Sequence, residues 1–207
     1  MYEKLRTHIL DGSLQPDEKL RVNDIARRYG CGSFPVREAL NRLAAEGLAI
    51  YSDQRGFAVA PISREELEDI GRTRSWIVGL AIEKAVLLGD AQWEEDVLLS
   101  YHRLSKTPRY LDIEARELNP EYDTVHRQFH TTLISGCGSK KLVEICEDLF
   151  NHSERYRTLS RAVAPRSRED EHKLIVDAVL ARQVDEAVRL SVAHIQATAK
   201  RALENLT

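Results

Sequence analysis

The chain has 207 residues, 43% of them apolar and 30% charged, enough for one or two helix-rich domains with a true core. Aromatic residues make up only 6%, which argues against a stacking platform for single-stranded nucleic acid. A formal charge of −3 excludes a uniformly basic protein, so any surface for a polyanion has to be local. In chain order, Leu5, Ile9 and Leu10 form a short helical stripe ended by Asp11-Gly12, and Pro16-Asp17 is a turn. Val22, Ile25 and Ala26 predict a second short helix that stops at Gly30. A third helix starts near Ser33-Phe34-Pro35, carries Val36, Leu40, Leu43 and Ala44 on one face, and is closed by Gly47. Leu48-Ala49-Ile50-Tyr51 and Phe57-Ala58-Val59-Ala60 read as two strands joined by Ser52-Asp53-Gln54-Arg55-Gly56.

Three helices followed by a hairpin within about sixty residues outline a winged helix-turn-helix, which places its third helix in a DNA major groove. Pro61-Ile62-Ser63 is the linker, and Ser63 followed by Glu66 is a capping box. The rest is helical in period over 64–89, 91–107, 121–136, 139–161, 167–181 and 184–204, with no strand pattern. The expected fold is mainly α: a winged helix-turn-helix over 1–61 and an all-α antiparallel bundle over 62–207.

Residues 19–42 hold six Lys/Arg against Asp24 and Glu38, a local basic patch. Arg37, one turn into the third helix, has the reach to pair a guanine edge, and Ser33 and Phe34 precede it at the end that enters the groove. Asn23, Arg27 and Arg28 flank the second helix as phosphate or base contacts. Arg55-Gly56 at the hairpin tip suits the minor groove. A lone surface Arg is ordinarily a solvated charge; here helix order, basic patch and wing agree. The stretch Ile9 to Val59 resembles the GntR family of bacterial transcription regulators. The resemblance is carried by Ile9-Leu10-Asp11-Gly12-Ser13-Leu14-Gln15-Pro16, Pro35-Val36-Arg37-Glu38-Ala39-Leu40, Arg42-Leu43, Glu46-Gly47-Leu48 and Arg55-Gly56-Phe57-Ala58-Val59. The chain departs from that pattern at Asp17, where the family usually has Gly, and at Gly32-Ser33-Phe34, where it usually has Ser-Arg-Thr.

Cys31, Cys137 and Cys146 are odd in number and lack C-x-x-C spacing, so a disulfide framework is not expected and a reducing cytoplasm is. No apolar run is long enough to cross a membrane. Histidine is the distinctive residue of the second part. His126 and His130 lie one turn apart on a stripe with Tyr122, Val125, Phe129 and Leu133. His172 aligns with Ile175, Val176 and Val179, and His194 with Ala187, Ser191, Ile195 and Thr198. One buried His is usually a satisfied core residue, but agreement across three helices points to a shared metal or anion. His152 falls near its own stripe as a spare candidate, while His8 and His102 are expected at the surface.

Over roughly residues 64–204 the chain resembles the FCD effector domain of the FadR-like GntR subfamily, through Arg74, Phe129-His130, Leu133, Glu171-His172, Ala178, Asp185, Ala187 and His194-Ile195. The resemblance implies a divalent metal held by His126, His130, His172 and His194. Histidine at 126, where an acid is common, favours zinc or nickel over magnesium. Arg74 is the first candidate for the far end of a small carboxylate effector, with Arg155 and Arg157 as second choices. A homodimer on an operator is expected because each winged helix alone reads only a half-site, and the resemblance further implies repression relieved by effector. Two other readings compete. A metal-dependent hydrolase needs a base beside the metal, and no H-E-x-x-H occurs. Alternatively, the metal only stabilises the bundle.

Overall fold

A computed structural model describes residues 1–112, 114, 117–159 and 169–204, apart from the side chains of 118, 157–159, 169 and 170. The chain divides into two compact units: Met1–Ile70 with Asn151–Val163 and Ala199–Thr207, and Gly71–Phe150 with Ala164–Thr198.

In the first unit, α1 spans Tyr2–Leu10, α2 Val22–Tyr29 and α3 Ser33–Ala45. Glycines stop the second and third as expected: Gly30 and Gly47 sit at φ of 62° and 72°, in the left-handed region where a side chain is disfavoured. Strands β1 (Ala49–Ser52) and β2 (Gly56–Val59) pair antiparallel from Ala49↔Val59 to Ser52↔Gly56. Leu5, Ile9, Val36, Leu40, Leu43 and Val59 form the core beneath them. The expected turn at Pro16-Asp17 leads into more than a turn. Leu20 N donates to Phe57 O at 2.8 Å and Val59 N to Glu18 O at 2.9 Å, so residues 18–20 cover the free edge of β2. Asp17 holds a φ of 64°, a conformation that suits Gly and that Asp tolerates through its short polar side chain.

The linker is fastened to this unit by the last turns of α7 (Lys140–Leu159). Ser63 Oγ accepts from Glu66 N at 3.0 Å, half of the expected capping box. The other half is relayed: Ser63 N donates to the Tyr156 hydroxyl at 3.3 Å, and that hydroxyl donates to the Glu66 carboxylate. Leu67, Tyr156 and Ala202 close a small apolar cluster around it.

The second unit is built from most of α4 (Arg64–Leu88), α5 (Ala91–Lys106), α6 (Pro120–Ser135), the first half of α7, α8 (Glu169–Leu180) and α9 (Val184–Glu204). Its core includes Ile82, Val86, Val97, Phe129, Ile175 and Val179. The expectation of a strand-free second part is corrected. Strands β3 (Tyr110–Asp112) and β4 (Glu117–Leu118) form a short antiparallel hairpin ahead of α6. With three and two residues they are too short to show a period. Asn119 ends the hairpin, donating its N–H to Arg109 O at 3.0 Å, and caps α6 by accepting from Glu121 N at 3.0 Å. Trp93 locks α5 in place, donating its indole N–H to Thr132 O at 2.9 Å with its ring laid against Gly89 and Gly136. Among the described residues no helix is long and apolar enough to cross a membrane.

Candidate metal centre and nucleic-acid interface

Helix α6 delivers His126 and His130 one turn apart, α8 delivers His172, and α9 delivers His194. All four converge, each offering a nitrogen within 4.8 Å of the others. The Nε2 atoms of His126 and His130 stand 3.1 Å apart. Two imidazole nitrogens on one ion at about 2.0–2.1 Å stand roughly 2.9–3.4 Å apart at tetrahedral or octahedral angles, so this pair already has a chelating separation. The complete set closes on an ion through shifts of roughly an ångström. Phe129, fully buried, floors the cluster with its ring 5.2 Å from His130 and 5.2 Å from His172. Tyr122 stacks on His126 at 5.6 Å.

Sequence reasoning quoted Glu171 only as part of the family likeness. Its Oε2 lies 2.8 Å from His194 Nδ1, a contact that orients that ring. The relation links α8 to α9, so no sequence spacing reports it. The donor set is four imidazole nitrogens without a carboxylate or thiolate, which fits zinc or nickel better than magnesium. Cys146 is close by, but burial, then the neighbouring Cys137, pushes its thiol up to about 12, so it remains a neutral thiol.

Beside the imidazoles lies a cavity of about 30 Å³, lined by His130, His194, Arg74, Ser191, Thr131 and Glu147 and by apolar side chains such as Ile82 and Ile175. Arg74 is 7% exposed, with its guanidinium 4.8 Å from the centre of the Phe150 ring. The arrangement presents one fixed cation beside a metal-competent cluster, which suits a short anion. Thr131 Oγ1 is 3.2 Å from Glu147, an acid on the cavity wall that sequence reasoning did not single out.

Arg155 is engaged elsewhere. It is 4% exposed, and its guanidinium donates to the carbonyls of Ala60 and Pro61 in the linker of the first unit. Burial draws its pKa below the ordinary guanidinium value. It is therefore a linker clamp and not among the cavity residues. The side chain of Arg157 lies outside the described ones. His152 is not in the cluster either: its ring packs against Gly47, at the end of α3. His8, expected at the surface, is half-buried with its Nδ1 2.7 Å from the Tyr29 hydroxyl, while His102 is exposed as expected.

In the first unit, Arg37 of α3 and Arg55-Gly56 of the hairpin tip line one groove of about 320 Å³. Lys19, Arg21 and Tyr51 line it too, and sequence reasoning had named none of these as contacts. Its charged side chains are all basic, as a groove for phosphates requires. Phe34 is 74% exposed at the N-terminal end of α3, beside exposed Ser33. Asn23, Arg27 and Arg28 are exposed on α2 outside that groove. Arg42, counted in the basic patch, is occupied by Glu46 at 3.2 Å and by the Tyr2 ring at 3.7 Å.

Comparisons with known proteins cover both parts of the chain. Residues 1–59 match the family described as bacterial regulatory proteins, gntR family, and residues 69–197 match the FCD domain. The chain is 38% identical over 200 residues to the HTH-type transcriptional repressor GlaR of Escherichia coli (strain K12), covering 94% of this chain and 90% of that one. It is 34% identical over 199 residues to the HTH-type transcriptional regulator BphR of Paraburkholderia xenovorans (strain LB400), covering 95% and 81%. In fold it is similar to the solved structure of E. coli McbR/YncC, with a TM-score of 0.78 at 21% identity over 98% of this chain and 94% of that one.

Proposed function

The chain belongs to the GntR family of bacterial transcriptional regulators and carries an FCD domain, and from that premise we propose that it is a homodimeric repressor whose grip on its operator is released by a small carboxylate metabolite. The observation that carries the reading is the convergence of His126, His130, His172 and His194 beside the cavity that holds Arg74. These four rings would hold a divalent ion, zinc or nickel, which supplies an electrophilic position for the carboxylate; Arg74 pairs with the anion. Residues 1–61 form the DNA-reading domain and 62–207 the effector domain, acting in the cytoplasm.

Double-stranded DNA is the partner of the first unit. Arg37, Ser33 and Phe34 face the bases, Arg55-Gly56 the minor groove, and Asn23, Arg27 and Arg28 the backbone. A homodimer follows because one winged helix reads only half a site. The exposed stripe Trp76, Leu80 and Leu87 along α4 supports pairing of copies, since an apolar stripe of this length is seldom left to water. The relative GlaR is named as a repressor, which supports the sign of regulation.

The test is a gel-shift on the promoter next to the protein's own gene. Retardation at low salt, weakened by added carboxylate only in metal-loaded protein, is the expected result. Failure to retard that DNA at any salt sinks the proposal. One observation favours a second reading: four imidazoles close a tetrahedral ion completely, as in structural zinc sites. In that case chelation lowers the melting temperature but leaves any carboxylate response intact. The relatives are transcriptional regulators, so the hydrolase alternative gains nothing from them.

A further inference from the structure

Buried hydroxyls on the helices of the second unit follow one pattern. Ser75 Oγ donates to Gly71 O at 2.8 Å, Ser100 Oγ to Val97 O at 2.9 Å and Thr132 Oγ1 to Gln128 O at 2.8 Å. The preceding turn of a helix offers such a carbonyl to any Ser or Thr. Ser191 breaks the pattern. It is 5% exposed, and among the described residues its Oγ is the one buried hydroxyl without a hydrogen bond. It lines the same cavity as Arg74, His130 and His194, and it precedes His194 by one turn on α9.

A buried hydroxyl without a partner is costly, because it has lost its water and gained nothing in return. The other polar groups on the cavity wall have different roles. Thr131 is bonded to Glu147, and Arg74 is a cation. We propose that Ser191 is a ligand-binding residue: its hydroxyl donates to an oxygen of the anion that occupies the open position of the metal centre, and so helps to select which acids the cavity accepts. This deepens the metal-and-carboxylate reading above and rests on it. The cavity, at about 30 Å³, has room for about two water-sized groups, the size of a carboxylate's two oxygens, so the fit favours a short acid.

The experiment uses the full chain loaded with cobalt(II), whose visible bands report its coordination, titrated with acetate. Wild type, Ser191→Ala and Ser100→Ala are compared. Cobalt stoichiometry is expected to be equal in all three. Acetate affinity falls about tenfold in Ser191→Ala, the loss of one hydrogen bond to a charged group, and is unchanged in Ser100→Ala. Without acetate, Ser191→Ala melts no lower than wild type, because no protein bond is lost, whereas Ser100→Ala melts lower. Equal acetate affinity in wild type and Ser191→Ala overturns the proposal. So does a destabilised acetate-free Ser191→Ala, which would give the hydroxyl a structural partner. If wild type binds no cobalt, or its bands ignore acetate, the metal-and-carboxylate reading fails first and takes this proposal with it; that failure is visible before any substitution is made.

Discussion

Removing the Glu171 carboxylate probes the proposed metal centre without touching any of its four imidazoles. Glu171 Oε2 accepts from His194 Nδ1 at 2.8 Å and so orients one ring of the four-imidazole cluster. Loss of such a partner typically weakens metal binding by about 10–100-fold, or about 1.4–2.7 kcal/mol. The Glu171 side chain is 40% exposed, so water takes over part of its role and the low end applies. Glu171→Ala is therefore expected to bind zinc about tenfold more weakly than wild type, with Glu171→Gln in between because its amide oxygen still accepts. The assay is competition against a chromophoric chelator near neutral pH, with circular dichroism to check that helix content is intact. Unchanged zinc affinity in a folded Glu171→Ala would refute the reasoning, because His194 would then be oriented by packing alone or would not be a ligand.

Three other outcomes are expected. Arg37→Ala weakens operator binding by about 1–3 kcal/mol in a titration by fluorescence anisotropy and relaxes preference at one base pair, whereas Arg55→Ala chiefly lowers the salt dependence. Gly89→Ala places a methyl 2.1 Å from Trp93 Cε3 and 2.7 Å from the Ala85 carbonyl, and the backbone neighbour cannot retreat. It should lose about 1–3 kcal/mol by urea denaturation, and an unchanged midpoint would count against the Trp93 packing. Burial, then the hydrogen bond to Glu66, raises the Tyr156 phenol above its ordinary value of 10.0. The folded state thus holds that proton more tightly than the unfolded one. Its stabilisation is complete below pH 10 and is lost as pH rises through the folded value. Tyr156→Phe is expected to cost about 1 kcal/mol at neutral pH and to flatten the alkaline limb of the urea midpoint against pH.

Where local chemistry decides structure, the sequence was legible. Gly30 and Gly47 end their helices at positive φ, and Ser63 caps α4. The four imidazoles were legible for the same reason, since each lies on the apolar stripe of its own helix and a stripe faces inward. What escaped depends on partners distant in the chain. The edge pairing of residues 18–20 with β2 follows from the approach of Asp17 at positive φ, not from any alternation of residue types. Arg155 looked like an anion binder because a charge on a helix says nothing of where its guanidinium ends, and here it ends on two linker carbonyls. Glu171 and Ser191 draw their roles from α9 and the cavity, which exist only after folding.

The imidazole cluster also changes what kind of circuit this chain would run. In the proposed reading, the acid is recognised only where the rings already hold their ion, so release from the operator needs both supplies at once. A cell short of the metal would keep the gene silent however much metabolite accumulated. The switch then works as a conjunction of two nutrients, and its output doubles as a measure of metal sufficiency.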